Sequence, residues 1–307
     1  MFGFINLNKP QGFTSHDCVA KTRRLLQTKK VGHGGTLDPE ATGVLPIAIG
    51  KATKLLQFLP EAKAYRARIR LGIQTTTDDL EGEVIADNPV TDFNQDEILE
   101  HLQQFKGEIE QTPPIYSAIK KQGKKLYEFA RQGIEVEVPK RQVTIYGCEL
   151  KQIIPGEYPE LILDIDCGAG TYIRAIARDL GQMLGVGGTL ANLVRTKSCS
   201  MKLQDSLDFE TIEQQLETDS FELITPDSVL AHLPRVSLDS LESKRWCQGQ
   251  IISLRDNKTL ELGNNNLENI EYIRIYDLVG IFLGIAILRN HEAGLSAKPK
   301  IVCASLD

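Results

Sequence analysis

Nowhere in its 307 residues does the chain hold an unbroken apolar run of the roughly 18 positions that a membrane-crossing helix needs. The opening stretch "MFGFINLNKPQGF" has no basic segment followed by an apolar one, so no secretory leader is expected. The six cysteines (Cys18, Cys148, Cys167, Cys199, Cys247 and Cys303) form no CxxC pair and no zinc-ligand spacing with histidine. With neither leader nor disulfide framework, the expectation is a cytoplasmic protein with reduced thiols. There is no internal repeat and no low-complexity tract. No glycine loop ends in the Lys-Ser/Thr pair of a phosphate-binding P-loop. Nothing signals a metal, a nucleotide or a redox cofactor.

What is present is an ordinary globular composition, 41% hydrophobic and 25% charged, with a net charge of −6. The overall sign argues weakly against a nucleic-acid partner, but the distribution argues for one. Residues 1–70 hold 12 Lys/Arg against 4 Asp/Glu, a balance of +8. Residues 71–110 hold 1 against 11, a balance of −10, and residues 113–145 hold 7 against 3, a balance of +4. The two basic segments could line one groove, or all three could coat a solvated surface.

Periodicity gives a coarse map. "FGFINLNKPQGFTSHD" reads as a strand, a Pro-Gly turn and a helix N-cap at Thr14 or Ser15, followed by a basic amphipathic helix. "GVLPIAIGKATKLLQFL" reads as a buried strand running into a helix. "KAYRARIRLGIQTTT" alternates as a strand, and "GEVIAD" is a second. After the helix "NQDEILEHLQQFKGEIEQ" comes a loop, a short helix and a strand beginning after Gly133. Two more strands lead to the helix in "GTYIRAIARDLGQML". Beyond about residue 230 the pattern changes to short strands separated by glycines, with almost no long helix. The fold class is α+β. A mixed or antiparallel sheet with flanking helices fills residues 1–230, and a small β-barrel-like module fills 233–307 after a linker near 231–235.

Between the first helix and the buried strand lies "VGHGGTLDPEATG", with one acid, Asp38, among glycines. Taken alone, an Asp-Pro in such a loop is an ordinary turn residue. Glycines also permit close backbone approach to a ligand. Only Glu40 is near, so a paired-carboxylate glycosidase is not signalled.

"GHGGTLDPEATGVLPIAIGKATK" resembles the signature of the bacterial tRNA pseudouridine-55 synthases, the TruB family. "LNKPQGFTSHD", "YRARIRLGIQTTTDDLEG", "QTPPIYSAIKKQGKKLYEFARQG" and "GTYIRAIARDLG" resemble further blocks of that family, in family order. Residues 233–307 resemble an RNA-binding PUA domain, more faintly, through "GIFLGIAIL" and "KPKIVCA". The resemblance implies isomerisation of uridine 55 in the T-arm stem-loop of tRNA, with the acceptor end held by the C-terminal module. It implies no cofactor, no metal and no obligate protein partner, and a monomer is expected. Asp38 would be the essential acid, with the base flipped out of the RNA to meet it.

The resemblance also assigns the groups around that acid. Arg174 would pair with Asp38 and fix its orientation, Tyr172 would line the pocket floor, and Tyr65 would stack on the flipped uracil. Leu193 would close the opposite face, although a core leucine fits the same pattern. His33 falls on the substrate side of the loop. Lys9 would support the loop or a phosphate. Lys120, Lys121, Lys124, Lys125 and Arg131 lie in a basic insertion at about 113–140 that resembles an RNA-clamping segment, and would contact the RNA backbone. Two other readings compete: a non-catalytic RNA-binding or tRNA-folding protein on the same scaffold, and a nucleoside hydrolase.

Overall fold

The computed structural model describes residues 1–90, 94–117, 119–121, 123–134, 136–254, 270–291 and 294–304. Strand β1 (Gly3–Lys9) turns into helix α1 (Ser15–Leu25). Of the two expected caps, Thr14 is the one used: its hydroxyl accepts from the Asp17 amide at 3.0 Å, while the Asp17 carboxylate accepts from the Thr14 amide at 2.9 Å. This reciprocal pair satisfies two amides that no helical carbonyl reaches. Strands β2 (Val31–His33) and β3 (Thr42–Ile49) flank the glycine loop, and β3 runs into a 3-10 helix at Gly50–Phe58. Next come β4 (Lys63–Leu71), β5 (Ile73–Thr75), β6 (Val84–Asp87), α2 (Gln95–Gln104) and β7 (Gly107–Gln111).

The basic insertion is a small hairpin, β8 (Lys120–Lys121) and β9 (Lys124–Lys125), leading into the short helix α3 (Leu126–Arg131). The strand expected after Gly133 starts later. β10 (Arg141–Ile154) begins where β7 first offers it a partner, at Gln111 opposite Arg141. Strand β11 (Glu160–Cys167), helix α4 (Ile173–Met183), β12 (Gly188–Ser198), β13 (Met201–Lys202), α5 (Phe209–Glu217) and α6 (Pro226–Val229) complete the larger body.

Its nine-stranded sheet runs β1-β3-β12-β4-β11-β10-β7, with β2 added to β3 and β13 to β12. Only the short β3–β12 contact is parallel, and it sets Arg195 beside Gly43. The alternation in β4 decides which side chains face inward: Tyr65, Ala67, Ile69 and Leu71 are buried, while Arg66 and Arg68 turn outward to Asp164 and Glu160 on the neighbouring strand.

The C-terminal part holds β14 (Arg235–Leu238), α7 (Ser240–Cys247), β15 (Ile252–Leu254), β16 (Tyr272–Asp277), β17 (Phe282–His291) and β18 (Gly294–Val302). Its five strands curl as an open half-barrel in the order β14-β16-β17-β18-β15. Helix α7 lies within a stretch read as short strands and was not singled out. Asp239 and Glu242 form a capping box at its start, and Trp246 on its inner face is fully buried among Val236, Leu238, Ile252 and Ile273. The capping spacing in "DSLESKRW" was the available signal.

The two parts meet through an apolar junction, not through a linker alone. Phe4, Ala52, Leu55 and Phe58 share one core with Ile285, Cys303, Tyr272 and Phe282. The Phe58 and Tyr272 rings meet edge to face at 4.9 Å, and Lys51 donates to the Cys303 carbonyl at 2.6 Å. Arg274 reaches back to the linker, donating to the Leu233 carbonyl at 2.8 Å and to Asp227 at 2.6 Å. Removing residues 234–307 would expose this face to water. Thermal unfolding of the truncated chain should start about 10 °C or more below the full chain, the shift expected from losing a few kcal/mol of burial. An unchanged melting temperature would return the junction to a separable interface.

Candidate active site

Asp38 sits on a loop whose backbone is tied down at nearly every residue. From one side the guanidinium of Arg195, with no exposed surface, donates to the carbonyls of Gly35 at 3.1 Å, Thr36 at 3.2 Å and Val44 at 2.7 Å. From the other side the ammonium of Lys9, equally buried, donates to the carbonyls of Pro39 and Pro10, each at 2.8 Å, and of Phe13 at 2.5 Å. Between them the Ser15 hydroxyl accepts from the Leu37 amide at 2.8 Å and donates to the Leu37 carbonyl at 3.2 Å. Leu37 turns into the core, and Asp38 is left with its side chain 44% exposed. Gly43 permits the arrangement. At φ +100°, a Cβ there would lie 2.3 Å from the Arg195 carbonyl oxygen.

Arg174 approaches from the first turn of α4. That helix start is anchored by Gln111, whose side chain accepts from the Tyr172 amide at 2.8 Å and donates to the Tyr172 carbonyl at 3.2 Å. The Arg174 guanidinium is spread between two carboxylates, 3.1 Å from Asp38 Oδ2 and 3.3 Å from Asp79 Oδ2. It also donates to the carbonyls of Thr77 at 3.2 Å and Tyr116 at 3.1 Å. Asp79 is itself held by the Thr77 hydroxyl and the Glu81 amide. A buried cation so surrounded is held in one orientation, and it holds one oxygen of the Asp38 carboxylate in place.

A cleft of about 420 Å³ opens beside the pair, lined by Tyr65, Tyr172, Leu193, Lys63, Tyr116 and Tyr127 among others. That volume suits a small organic group. Burial raises the pKa of the Tyr65 phenol, so the ring stays neutral. A second cleft of similar volume lies across Asp38, Arg174 and Leu193, walled by Glu40, Asp79, Glu81 and Asn192. Among the described residues, no three His, Cys, Asp or Glu side chains are grouped to hold a metal ion.

Asp38, Arg174, Tyr65, Tyr172 and Leu193 therefore converge. Lys9 supports the loop and is not presented to a ligand, because its ammonium is enclosed by three carbonyls. Burial pulls the pKa of that ammonium down, while Glu40 and Asp38 nearby pull it up. His33 ends β2 and lines neither cleft; its Nδ1 accepts from the Gly35 amide at 3.4 Å, and burial followed by the Arg195 charge lowers its pKa. Lys120 and Lys124 are exposed on the hairpin, and Lys121 and Lys125 are half-buried. The Lys121 ammonium donates to the Glu137 carbonyl at 2.6 Å, and that of Lys125 sits 5.4 Å above the Tyr127 ring. The Arg131 side chain lies outside the described residues. Asp79, Arg195, Lys63, Tyr116 and Tyr127 were missed by sequence reasoning. The first two stand within "TTTDDLEG" and "LANLVRT", where nothing separates a buried tether from a surface charge.

Two family models match the chain: TruB family pseudouridylate synthase (N terminal domain) over residues 23–173, and pseudouridine synthase II TruB, C-terminal, over 234–297. A protein of Trichormus variabilis named tRNA pseudouridine synthase B is 52% identical over 94% of this chain and 96% of its own length. One of the same name from Gloeothece citriformis is 54% identical over 93% of this chain and 90% of its own. Among solved structures, a chain of an H/ACA RNP bound to a substrate RNA containing 2′-deoxyuridine superposes with a TM-score of 0.74. It is 25% identical, with 98% of this chain and 84% of that one covered.

Lys9→Met should cost about 3 kcal/mol of stability, because the buried carbonyls it serves would be deprived of a charged donor. Denaturant unfolding measures this. A loss below about 1 kcal/mol, the level of an ordinary surface substitution, would remove Lys9 from the loop's supports.

Proposed function

The chain belongs to the TruB family of pseudouridylate synthases, and on that premise we propose that it converts uridine 55 in the T-loop of tRNA to pseudouridine, with Asp38 as the essential acid. The observation that carries this reading is the Asp38–Arg174 ion pair at 3.1 Å, standing at the wall of an open cleft that Tyr65 and Leu193 also line. A protein that only binds RNA gains nothing from fixing one half-exposed carboxylate so firmly. The names of the relatives support both the reaction and tRNA as its substrate.

The reaction breaks the N1–C1′ bond of uridine, turns the base and joins C5 to C1′, with the C5 proton released. Inside a duplex or a folded loop that carbon is out of reach, so the nucleotide swings out of the stack, which costs a few kcal/mol. The Tyr65 ring supplies a replacement stacking surface, and Leu193 closes on the other face. Tyr172 and the glycine-rich turn before it floor the cleft. Asp38 then meets the sugar or the base as a carboxylate. It adds to C1′, adds to the ring, or takes a sugar proton, and each route needs an anion held at fixed distance. Arg174 supplies that fixing. Gly35, the loop glycine that lines the cleft, leaves the wall free of a Cβ where the nucleotide approaches.

Outside the cleft the RNA meets positive charge. The exposed ammoniums of Lys120 and Lys124 stand on the segment that also contributes Tyr116 and Tyr127 to the cleft. In this reading the hairpin holds the phosphates of the stem-loop over Asp38, and the C-terminal half-barrel holds the acceptor end. The chain acts as a monomer in the cytoplasm without an obligate protein partner.

Asp38→Asn should reduce tritium release from tRNA carrying [5-³H]uridine by about three orders of magnitude or more, since the reacting anion is gone. Binding of tRNA should stay within a few-fold, because phosphate contacts dominate affinity. The same assay separates the competing readings: a pure binder releases no tritium, and a hydrolase releases free uracil. Replacing Lys120, Lys121, Lys124 and Lys125 with alanine should flatten the salt dependence of tRNA binding. The slope of log K against log salt should fall by about 0.7–0.9 for each phosphate that a lysine no longer neutralises. An unchanged slope would make the hairpin a solvated face.

A further inference from the structure

Two cations line the Asp38 cleft, Arg174 and Lys63. Arg174 is spent on two carboxylates and two carbonyls. Lys63 is not. Its ammonium makes one hydrogen bond among the described residues, a 3.2 Å contact with the Glu61 carbonyl two residues away. No carboxylate among the described residues is paired with it. Arg195, whose charge also acts on Lys63, is fully occupied by the loop carbonyls. Burial, and after it the charge of Arg195, pulls the Lys63 pKa below its ordinary value. A half-buried cation facing a cleft without a counter-ion is a costly arrangement unless a ligand brings the charge.

The backbone says where that charge arrives. Lys63 and Tyr65 are two apart on β4 and project to the same face, about 7 Å apart along the strand. In the register of the sheet, Lys63 is flanked by Cys167 and Ser198. Its stem runs over Gly35, where a Cβ would lie 3.5 Å from the Lys63 Cε. Gly35 is three residues before Asp38 on the same tethered loop. With the base on Tyr65 and the sugar at Asp38, the ammonium stands at the sugar side of the nucleotide, beyond the edge of the stacked ring. The groups next to that sugar in any polynucleotide are its two phosphodiesters, each with a full negative charge.

We propose that Lys63 binds a non-bridging oxygen of a phosphodiester flanking the uridine held in the Asp38 cleft. The contact fixes the flipped nucleotide from its backbone while Tyr65 fixes it from the base. It rests on the reading of the cleft as a uridine site, and it differs from the hairpin contacts in reaching inside the cleft. Only an extruded nucleotide brings its phosphate there, so the contact strengthens with flipping and favours the reactive conformation.

The test is a cycle between protein and RNA. Wild type and Lys63→Met are assayed on a T-arm stem-loop, and on two stem-loops with a neutral methylphosphonate 5′ or 3′ of the target uridine. On unmodified RNA, Lys63→Met should lower kcat/KM by about 10- to 100-fold, the loss expected for one charge-assisted hydrogen bond. With one of the two neutral linkages, wild type should fall by a similar factor and the two proteins should come within about twofold of each other. Lys63→Arg, which keeps the charge, should recover much of the missing rate on unmodified RNA. If Lys63→Met melts early, Lys63→Gln takes its place in the cycle. A Lys63→Met (or Lys63→Gln) enzyme that turns over like wild type, or a ratio that survives both neutral linkages, overturns the inference and leaves the uridine site standing. Absence of pseudouridine in the wild-type reaction overturns the reading of the cleft itself.

Discussion

The structure depends on two buried cations that spend their charge on neutral backbone. Arg195 and Lys9 together hold the carbonyls of Gly35, Thr36 and Pro39, three of the residues that frame Asp38. Loops are normally the least ordered parts of a protein, because their polar backbone faces water. Here that backbone faces protein donors, and the loop gains the rigidity of a strand while keeping an outline no strand could adopt. A helix would point the acid's carboxylate along a regular face, and a sheet would cover it with a neighbour. The tethered loop does neither, and leaves the side chain free of its own backbone neighbours, to be met by Arg174.

Charge in the site is balanced by sharing. One guanidinium lies between Asp38 and Asp79, so the acid that faces the cleft is restrained by a second acid that does not line it. Asp79 takes one Nη of Arg174 and leaves the other for Asp38, which fixes the arginine's rotation as firmly as its position. Lysine in its place would keep the charge and lose this division of labour, since an ammonium has no planar fork.

The main elements were legible where period and capping agree. The alternating β4 residues, a helix cap at Thr14 or Ser15 and the helix bearing Arg174 all stood in the sequence, and Asp38 stood out once several blocks were taken in order. What was hidden depends on depth. A lysine beside a proline and an arginine in "LANLVRT" look like surface residues until the fold encloses them, so Lys9 was open to a phosphate role and Arg195 was not singled out. Lys63 was hidden by its distance from the acid: 25 positions of sequence separate it from Asp38, and the sheet brings it to the same cleft. The strand placed directly after Gly133 failed for a different reason. Pattern alone does not reveal where a partner strand begins, and β10 cannot pair before β7 is there to meet it. Helix α7 was overlooked because eight residues are too few for periodicity to outweigh the strands around them.

The apolar junction around Phe58 and Tyr272 carries a consequence for measurement in the literal sense. Two surfaces that share one apolar core resist being drawn apart, because separating them would expose that core to water, as a screw resists the opening of a caliper's jaws. Under the proposed reading, an RNA held by both surfaces would be gauged for the span between its contact points as well as held by them. A ligand too short or too long engages one jaw only and forfeits the gain of the second. Selectivity of that kind needs no base to be read; it follows from the stiffness of the joint.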